Sequence, residues 1–214
     1  MVLISHKYKF IYLKNYKVAS TSVESFFGQY CINPSLNYSF EDNQSVIISE
    51  YGIIGSRIIS DKIWYNHNPA CDIKRDLGED IFNTYFKFCV IRNPYDYMVS
   101  SYYWDYRNNY RPIKSFKQYV IDYTISDIRN NLNRLFIDDK EVCNAYIRYE
   151  SLEEDIKKII CTLEITDYNI SKLPNHKSGY RPKGTHYREY YDEETRNLVY
   201  NLFKTEIDMF GYEF

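Results

Sequence analysis

The sequence predicts an α/β fold: a single domain over residues 1–214, with a mostly parallel central sheet flanked by helices. Three observations lead there. Short apolar runs of strand length alternate with stretches whose apolar residues recur at helical spacing. No internal repeat or low-complexity linker divides the chain. A length of 214 residues is enough to bury one sizeable core.

In chain order, residues 8–14 carry the run Phe10-Ile-Tyr-Leu13 and read as the first strand. Residues 20–30 read as the first helix, with Val23, Phe26, Phe27 and Tyr30 on its buried face. A polar loop with Pro34 fills 31–45. Val46-Ile47-Ile48 and, less clearly, Arg57-Ile58-Ile59 are short strand candidates, and 72–85 is helical around Ile73, Leu77 and Ile81. Phe86 to Arg92 is an apolar run suited to a buried strand, where Cys89 is a small core residue. Asn93 then caps a helix whose first turn holds Pro94, and Tyr95, Met98, Val99, Tyr102, Tyr103 and Tyr106 mark its buried face. Residues 115–137 hold one or two helices with Phe116, Tyr119, Val120 and Tyr123 as one stripe. Ala145–Tyr149 is a strand, followed by a helix through Leu163 that Ser151 and Glu154 open as a capping box. The final helix runs from about Asp192 to Phe210 and ends at Gly211.

Two strand-to-helix junctions carry cations. Lys17-Val-Ala-Ser-Thr-Ser22 joins the first strand to the first helix. Amides at a helix start, the positive end of its dipole and a Lys ammonium together make an anion cradle. The Lys precedes the hydroxyls, unlike the order of a nucleoside-triphosphate P-loop, so a different phosphate ligand is expected. The competing reading is an ordinary capped, solvated helix end. At the second junction Arg92 follows a strand, where open α/β sheets bind ligands. With Ser100 it suits a phosphate; alternatively it pairs with Asp96.

Together the two segments resemble the sulfotransferases that use 3′-phosphoadenosine 5′-phosphosulfate (PAPS), especially their carbohydrate branch. That family has a Lys-x-x-Ser/Gly-Thr-Ser loop for the 5′-phosphosulfate and an Arg-(Asn/Asp)-Pro-(Tyr/Trp)-Asp-x-x-x-Ser segment for the 3′-phosphate. Here they match Lys17-Val-Ala-Ser-Thr-Ser22 and Arg92-Asn-Pro-Tyr-Asp-Tyr-Met-Val-Ser100. Ile147–Leu152 is similar to the family's late strand-to-helix step, and Tyr187–Asp192 through Phe214 to its C-terminal helix. Tyr97 departs from the Arg of many relatives. The resemblance implies a P-loop-like sulfotransferase fold and PAPS as sulfuryl donor. It places Lys17, Ala19, Ser20, Thr21 and Ser22 at the phosphosulfate and Arg92 and Ser100 at the 3′-phosphate. Arg181, Lys183 and Gly184 are similar to a basic loop that folds over the nucleotide, although Pro182 separates the two cations; a solvated linker is the alternative.

Sulfuryl transfer asks for a cation at the leaving phosphate, a cradle for sulfonyl oxygens and a base for the acceptor hydroxyl. Lys17 is the candidate cation, and the scheme requires no metal. Relatives often place a His or Glu base after a strand between the two phosphate motifs. His67 is the one His between Lys17 and Arg92, and near its ordinary pKa it accepts a proton around neutrality. Glu50 is the alternative base. His176 and His186, the latter a possible supporting residue beside the basic loop, carry no catalytic assignment.

Composition sets the remaining bounds. A net charge of −2 gives no general attraction to nucleic acid or anionic membranes, so an anion site must be local. The 25 tyrosines suit an AT-rich coding sequence, with a sugar cleft lined by aromatic faces as the functional alternative. Five cysteines without paired spacing favour reduced folding and suggest no zinc site. Lys7 and Lys9 interrupt any N-terminal signal, and no run approaches the roughly 20 apolar residues of a membrane span. Most animal carbohydrate sulfotransferases carry a Golgi anchor; the resemblance without one leads us to expect a cytoplasmic or otherwise soluble enzyme, or a shortened chain. The expected partner is a small-molecule or glycan acceptor. The alternatives are a nucleotide-binding module of the same fold without turnover and a small-molecule kinase, for which neither a triphosphate loop nor a metal-binding Asp stands out.

Overall fold

The computed structural model describes residues 1–39, 45–57, 63–108, 114–125, 131–174, 176, 181–182 and 184–214. In chain order the strands and helices are β1 (Leu3–Ser5), β2 (Phe10–Leu13), α1 (Ser20–Phe27), β3 (Ile47–Ser49), β4 (Gly52–Ile54), α2 (Ala70–Leu77) and α3 (Glu79–Thr84). β5 (Phe86–Ile91), α4 (Pro94–Arg107), α5 (Phe116–Ile125), β6 (Phe136–Ile137), β7 (Lys140–Glu141) and β8 (Ala145–Arg148) follow. The chain ends with α6 (Leu152–Thr162), α7 (Glu193–Leu202) and α8 (Lys204–Phe210). Two compact units are formed, one from Met1–Ile91 with Asn131–His176, the other from Arg92–Asn130 with Lys177–Phe214.

The first unit holds a six-stranded sheet in the order β3-β4-β1-β2-β5-β8. β2, β5 and β8 pair in parallel, while β1 runs against both β2 and β4, and β3 against β4. Four strands (β2, β4, β5, β8) therefore share one direction, and the antiparallel pairs gather at the β3 edge. The expected single first strand at 8–14 is instead the second arm of a hairpin. Lys7 and Lys9 are its exposed turn, and the Leu3–Ser5 arm before them is wholly buried. Gly52 is required where β4 meets β1: a Cβ there would lie 2.1 Å from the Ile4 carbonyl oxygen. The core combines the fully buried Tyr12, Phe10 and Phe88 with Phe27 from α1.

Several boundaries differ from the sequence reading for local reasons. The first helix tightens into a 3-10 turn at Gly28–Cys31. The helix expected at 72–85 breaks at Gly78, whose φ of 91° no helix accommodates, giving α2 and α3. The capping box of Ser151 and Glu154 does not form. Ser151 Oγ donates instead to Asp155 Oδ2 (2.9 Å), which also accepts from the Arg148 amide (2.9 Å). The 115–137 region supplies α5 and a 3-10 turn at Leu132–Arg134. Ile58 and Ile59, the weaker strand candidate, lie outside the described residues.

In the second unit Asn93 caps α4 as expected, its Oδ1 accepting from the Tyr95 amide at 3.0 Å, with Pro94 at the first position. Tyr95, Met98 and Val99 are buried, whereas Tyr102 and Tyr103 are half-buried and Tyr106 is exposed. Tyr97, the departure from the resemblance noted above, is buried against Phe203, and its hydroxyl lies 3.0 Å from that of Tyr123. The final helix is interrupted: Phe203 leaves helical geometry between α7 and α8. Asp192 caps α7 in a reciprocal box with Thr195, and Gly211 ends α8 in the left-handed conformation. Among the described residues no helix is long and apolar enough to cross a membrane.

Candidate active site

The loop between β2 and α1 is held from several sides. Asn15, itself buried, donates from Nδ2 to the Val90 carbonyl on the neighbouring β5 (3.1 Å). Ser20 Oγ donates back to the Asn15 carbonyl at 2.6 Å, and the Tyr12 hydroxyl donates to the Ser20 carbonyl at 3.1 Å. The Tyr16 amide donates to Asn131 Oδ1 at 2.8 Å. Within this frame Lys17 (φ 55°) and Ala19 (φ 59°) both adopt the left-handed backbone that side chains disfavour, by about 1 kcal/mol each.

The turn delivers a helix start with no side-chain cap, because its N-cap residue is Ala19. The Ser22 amide reaches the Ala19 carbonyl (2.9 Å), while those of Ser20 and Thr21 have no carbonyl acceptor among the described residues. The ordinary capped-end reading of this loop is therefore set aside. Buried amides, a positive dipole end and the half-buried Lys17 on the same short loop suit an anion. The three hydroxyls differ in what they can offer. Ser20 has committed its proton to Asn15. Ser22 accepts from the His176 amide (3.1 Å) and keeps its own proton to donate. Thr21 makes no hydrogen bond among the described residues.

Behind the loop, buried Glu24 of α1 takes an ion pair from Lys14 at 2.5 Å, with the Met1 amine and Arg57 Nε each at 3.3 Å. Burial alone would raise its pKa, but the Met1 amine, Lys14 and Arg57 outweigh that and hold it at about 2. The pairing fixes α1 to the end of β2, and with it the angle at which the helix start meets the loop.

His67 docks onto this loop. Its ring stacks on Tyr16, with centroids 3.8 Å apart and an interplanar angle of 21°. Nδ1 lies 3.1 Å from the Lys14 carbonyl, which can only accept, so Nδ1 carries the proton and Nε2 the lone pair. Among the described residues Nε2 makes no hydrogen bond. Burial, then the charges of Lys14, the Met1 amine and Arg134, push the pKa well below the ordinary histidine range. The expectation of an ordinary pKa is thus corrected: the imidazole is neutral across a wider range. Glu50, the alternative base, is not brought to the loop. It is exposed in the turn before Gly52, which stands level with Ser5 and Phe10 at the opposite end of β2.

In the second unit Arg92 and Arg181 converge on Asp96. Arg92 Nε and Nη2 each lie 2.7 Å from Oδ2, and Arg181 Nη1 lies 2.6 Å from Oδ1. The pairing with Asp96 weighed from the sequence is therefore present. It is buried rather than superficial, and a second guanidinium joins it. Ser100, half-buried, lies one turn beyond Asp96 on the same face of α4. Gly184 is exposed with φ 83°; Lys183 lies outside the described residues.

Sequence reasoning missed Arg134 and Asn131. Arg134, 7% exposed, donates from Nε (3.1 Å) and Nη2 (2.7 Å) to the His67 carbonyl and stacks over the Tyr16 ring at 4.7 Å. Nothing in Asn131-Leu-Asn-Arg134 announces this, since the contacts depend on a fold that joins segments over 60 residues apart. Of the other histidines, His6 Nδ1 lies 2.9 Å from the Tyr85 hydroxyl, and His186 caps the turn at Tyr187–Tyr190. Among the described residues no group of three or more His, Cys, Asp or Glu side chains is arranged to hold a metal ion.

The chain is 32% identical to an uncharacterized protein of Archaeoglobus fulgidus over 94 residues, 43% of this chain and 78% of that protein. No solved structure matches. A family model described as "Sulfotransferase family" matches residues 1–213, nearly the whole length that carries the Lys17 loop, His67 and the Arg92 segment. The chain belongs to the sulfotransferase family.

Proposed function

We propose that this protein transfers a sulfuryl group from PAPS to a hydroxyl of a carbohydrate acceptor. The observation that supports it most is the uncapped start of α1 beside Lys17, with a neutral imidazole stacked on the adjoining Tyr16. The amides of Ser20 and Thr21 and the hydroxyls of Thr21 and Ser22 fit a phosphosulfate, whereas Ser20 Oγ keeps the loop in shape. Ala19 leaves the cradle unobstructed by a capping side chain. The family pattern gives Arg92, Ser100, Arg181, Lys183 and Gly184 to the 3′-phosphate.

In this reading the acceptor oxygen forms a bond to sulfur as the bond from sulfur to the bridging oxygen breaks. His67 Nε2 takes the hydroxyl proton, and the Lys17 ammonium neutralises charge that grows on the departing 3′-phosphoadenosine 5′-phosphate. The carbohydrate acceptor rests on the resemblance of the two motifs to that branch. Calorimetric titration with 3′-phosphoadenosine 5′-phosphate, beside ATP and without metal, tests the donor site. Micromolar binding that exceeds ATP and weakens in Arg92→Ala is expected. No binding, or a preference for magnesium–ATP, overturns the proposal and brings the kinase alternative forward. Bound nucleotide without transfer to any of a panel of glycans would favour the module without turnover.

A further inference from the structure

His67 has a left-handed backbone (φ 62°), uncommon for a residue with a side chain although histidine adopts it more readily than most. One side chain grips both His67 and the ring it stacks on. The Arg134 fork closes on the His67 carbonyl through two nitrogens, and the same guanidinium sits over the Tyr16 ring, 4.7 Å from its centroid, while that ring also stacks on His67. Arg134, Tyr16 and His67 therefore form a linked stack, and the Asn131 amide group, three residues before Arg134, receives the Tyr16 amide. A segment from far along the chain thus fixes both the residue before Lys17 and the histidine.

We propose that Arg134 is a positioning residue for the proton-accepting step: it holds His67 with Nδ1–H on the Lys14 carbonyl and Nε2 directed away from that bond as acceptor. The inference rests on the sulfotransferase reading for its catalytic meaning, but the positioning itself does not. Arg cannot lose its charge, so the device works at every pH the protein meets. The charged groups facing His67 are Lys14 after β2, the Met1 amine before β1 and Arg134 before β6. Burial lowers the pKa of the Met1 amine and of Lys14, so Arg134 is the one of the three whose charge is fixed, and removing it relaxes the pressure on the imidazole.

The test is ring-nitrogen NMR of His67, assigned by its loss in His67→Ala, across a pH series in the wild type, Arg134→Met and Arg134→Lys. The wild type is expected to show one neutral tautomer, protonated at Nδ1 and titrating below the ordinary range. Arg134→Met should mix the tautomers and move the titration upward. A His67 spectrum and titration unchanged in folded Arg134→Met overturns the proposal, whether or not the protein binds nucleotide. Arg134→Lys keeps the charge without the planar fork, and decides the matter if the Met variant does not fold. It should mix the tautomers while the titration stays low, and an unchanged tautomer overturns the proposal. In turnover, Arg134→Lys should lower kcat about tenfold or more with affinity for 3′-phosphoadenosine 5′-phosphate within about threefold. Equal loss of both, with an unchanged His67 spectrum, marks a merely structural arginine. If the wild type neither binds that nucleotide nor transfers, the sulfotransferase reading fails and the NMR result still stands for the positioning.

Discussion

Arg181 Nη1 lies 2.6 Å from Asp96 Oδ1, on the carboxylate oxygen opposite the one that Arg92 engages. Two guanidinium groups and one carboxylate leave these three side chains with a formal charge of +1 in a largely buried setting. The carboxylate orients two cations that would otherwise repel each other, and under the proposed function both belong to the 3′-phosphate.

Arg92→Ala is expected to weaken 3′-phosphoadenosine 5′-phosphate binding by about ten- to a hundredfold, the worth of a charge-assisted hydrogen bond or two. Arg181 keeps Asp96 paired in that variant, so the fold should persist. Arg181→Ala, at a more exposed side chain, should cost only a few-fold. Calorimetry on both variants checks the order, and equal or reversed losses would reassign the main phosphate ligand.

Ala19→Gly should stabilise the protein by about 0.5 kcal/mol. Glycine removes the left-handed penalty at φ 59° but adds freedom to the unfolded chain, so the two effects partly offset. Ala19→Val should destabilise by about 1 kcal/mol or more, since a β-branched side chain resists that conformation further. Urea denaturation of the pair measures both signs, and a less stable Gly variant would mean that Ala19 is not strained.

Glu24→Gln should destabilise at neutral pH by about 3 kcal/mol, because it leaves the buried Lys14 ammonium facing a neutral amide. The folded pKa of about 2 lies below the unfolded carboxylate value, so Glu24 contributes its full stability above about pH 4.5. That contribution drains away as pH falls from there towards 2. The gap between wild type and Glu24→Gln in denaturation free energy should narrow over this window, and a constant gap would show that the ion pair is not its source.

The two cation-bearing junctions were legible because each packs its message into one local stretch. Lys17 to Ser22 and Arg92 to Ser100 declare themselves by residue order alone, as does the Asn93-Pro94 cap. β1 was hidden because three residues give no periodicity, and because lysines placed in a hairpin turn look like a break in the strand. The helix break at Phe203 has no Gly or Pro to announce it, and the bond from Ser151 to Asp155 competes with a capping box of the same residue types. Arg134 was illegible for another reason. Its partners are a carbonyl and a ring supplied by distant segments, and a main-chain acceptor leaves no trace in residue identity.

His67→Ala should abolish most transfer while leaving nucleotide affinity within about threefold, since the ring contacts the loop through Tyr16 and the Lys14 carbonyl and carries no charge for a phosphate. The wild-type pH profile carries the sharper expectation. A base acts only when unprotonated, and burial together with the neighbouring cations depresses the His67 pKa. The acidic limb of kcat/KM should therefore fall well below the pH 6.5 of an ordinary histidine and be missing from any residual activity of the Ala variant. The same depression has a cost in stability, because the unfolded chain takes up a proton near pH 6.5 that the folded chain refuses. Acidification below 6.5 should thus erode stability in the wild type more than in His67→Ala. A limb at or above 6.5, with stability curves that run parallel, would mean that the imidazole is solvated and that another group accepts the proton.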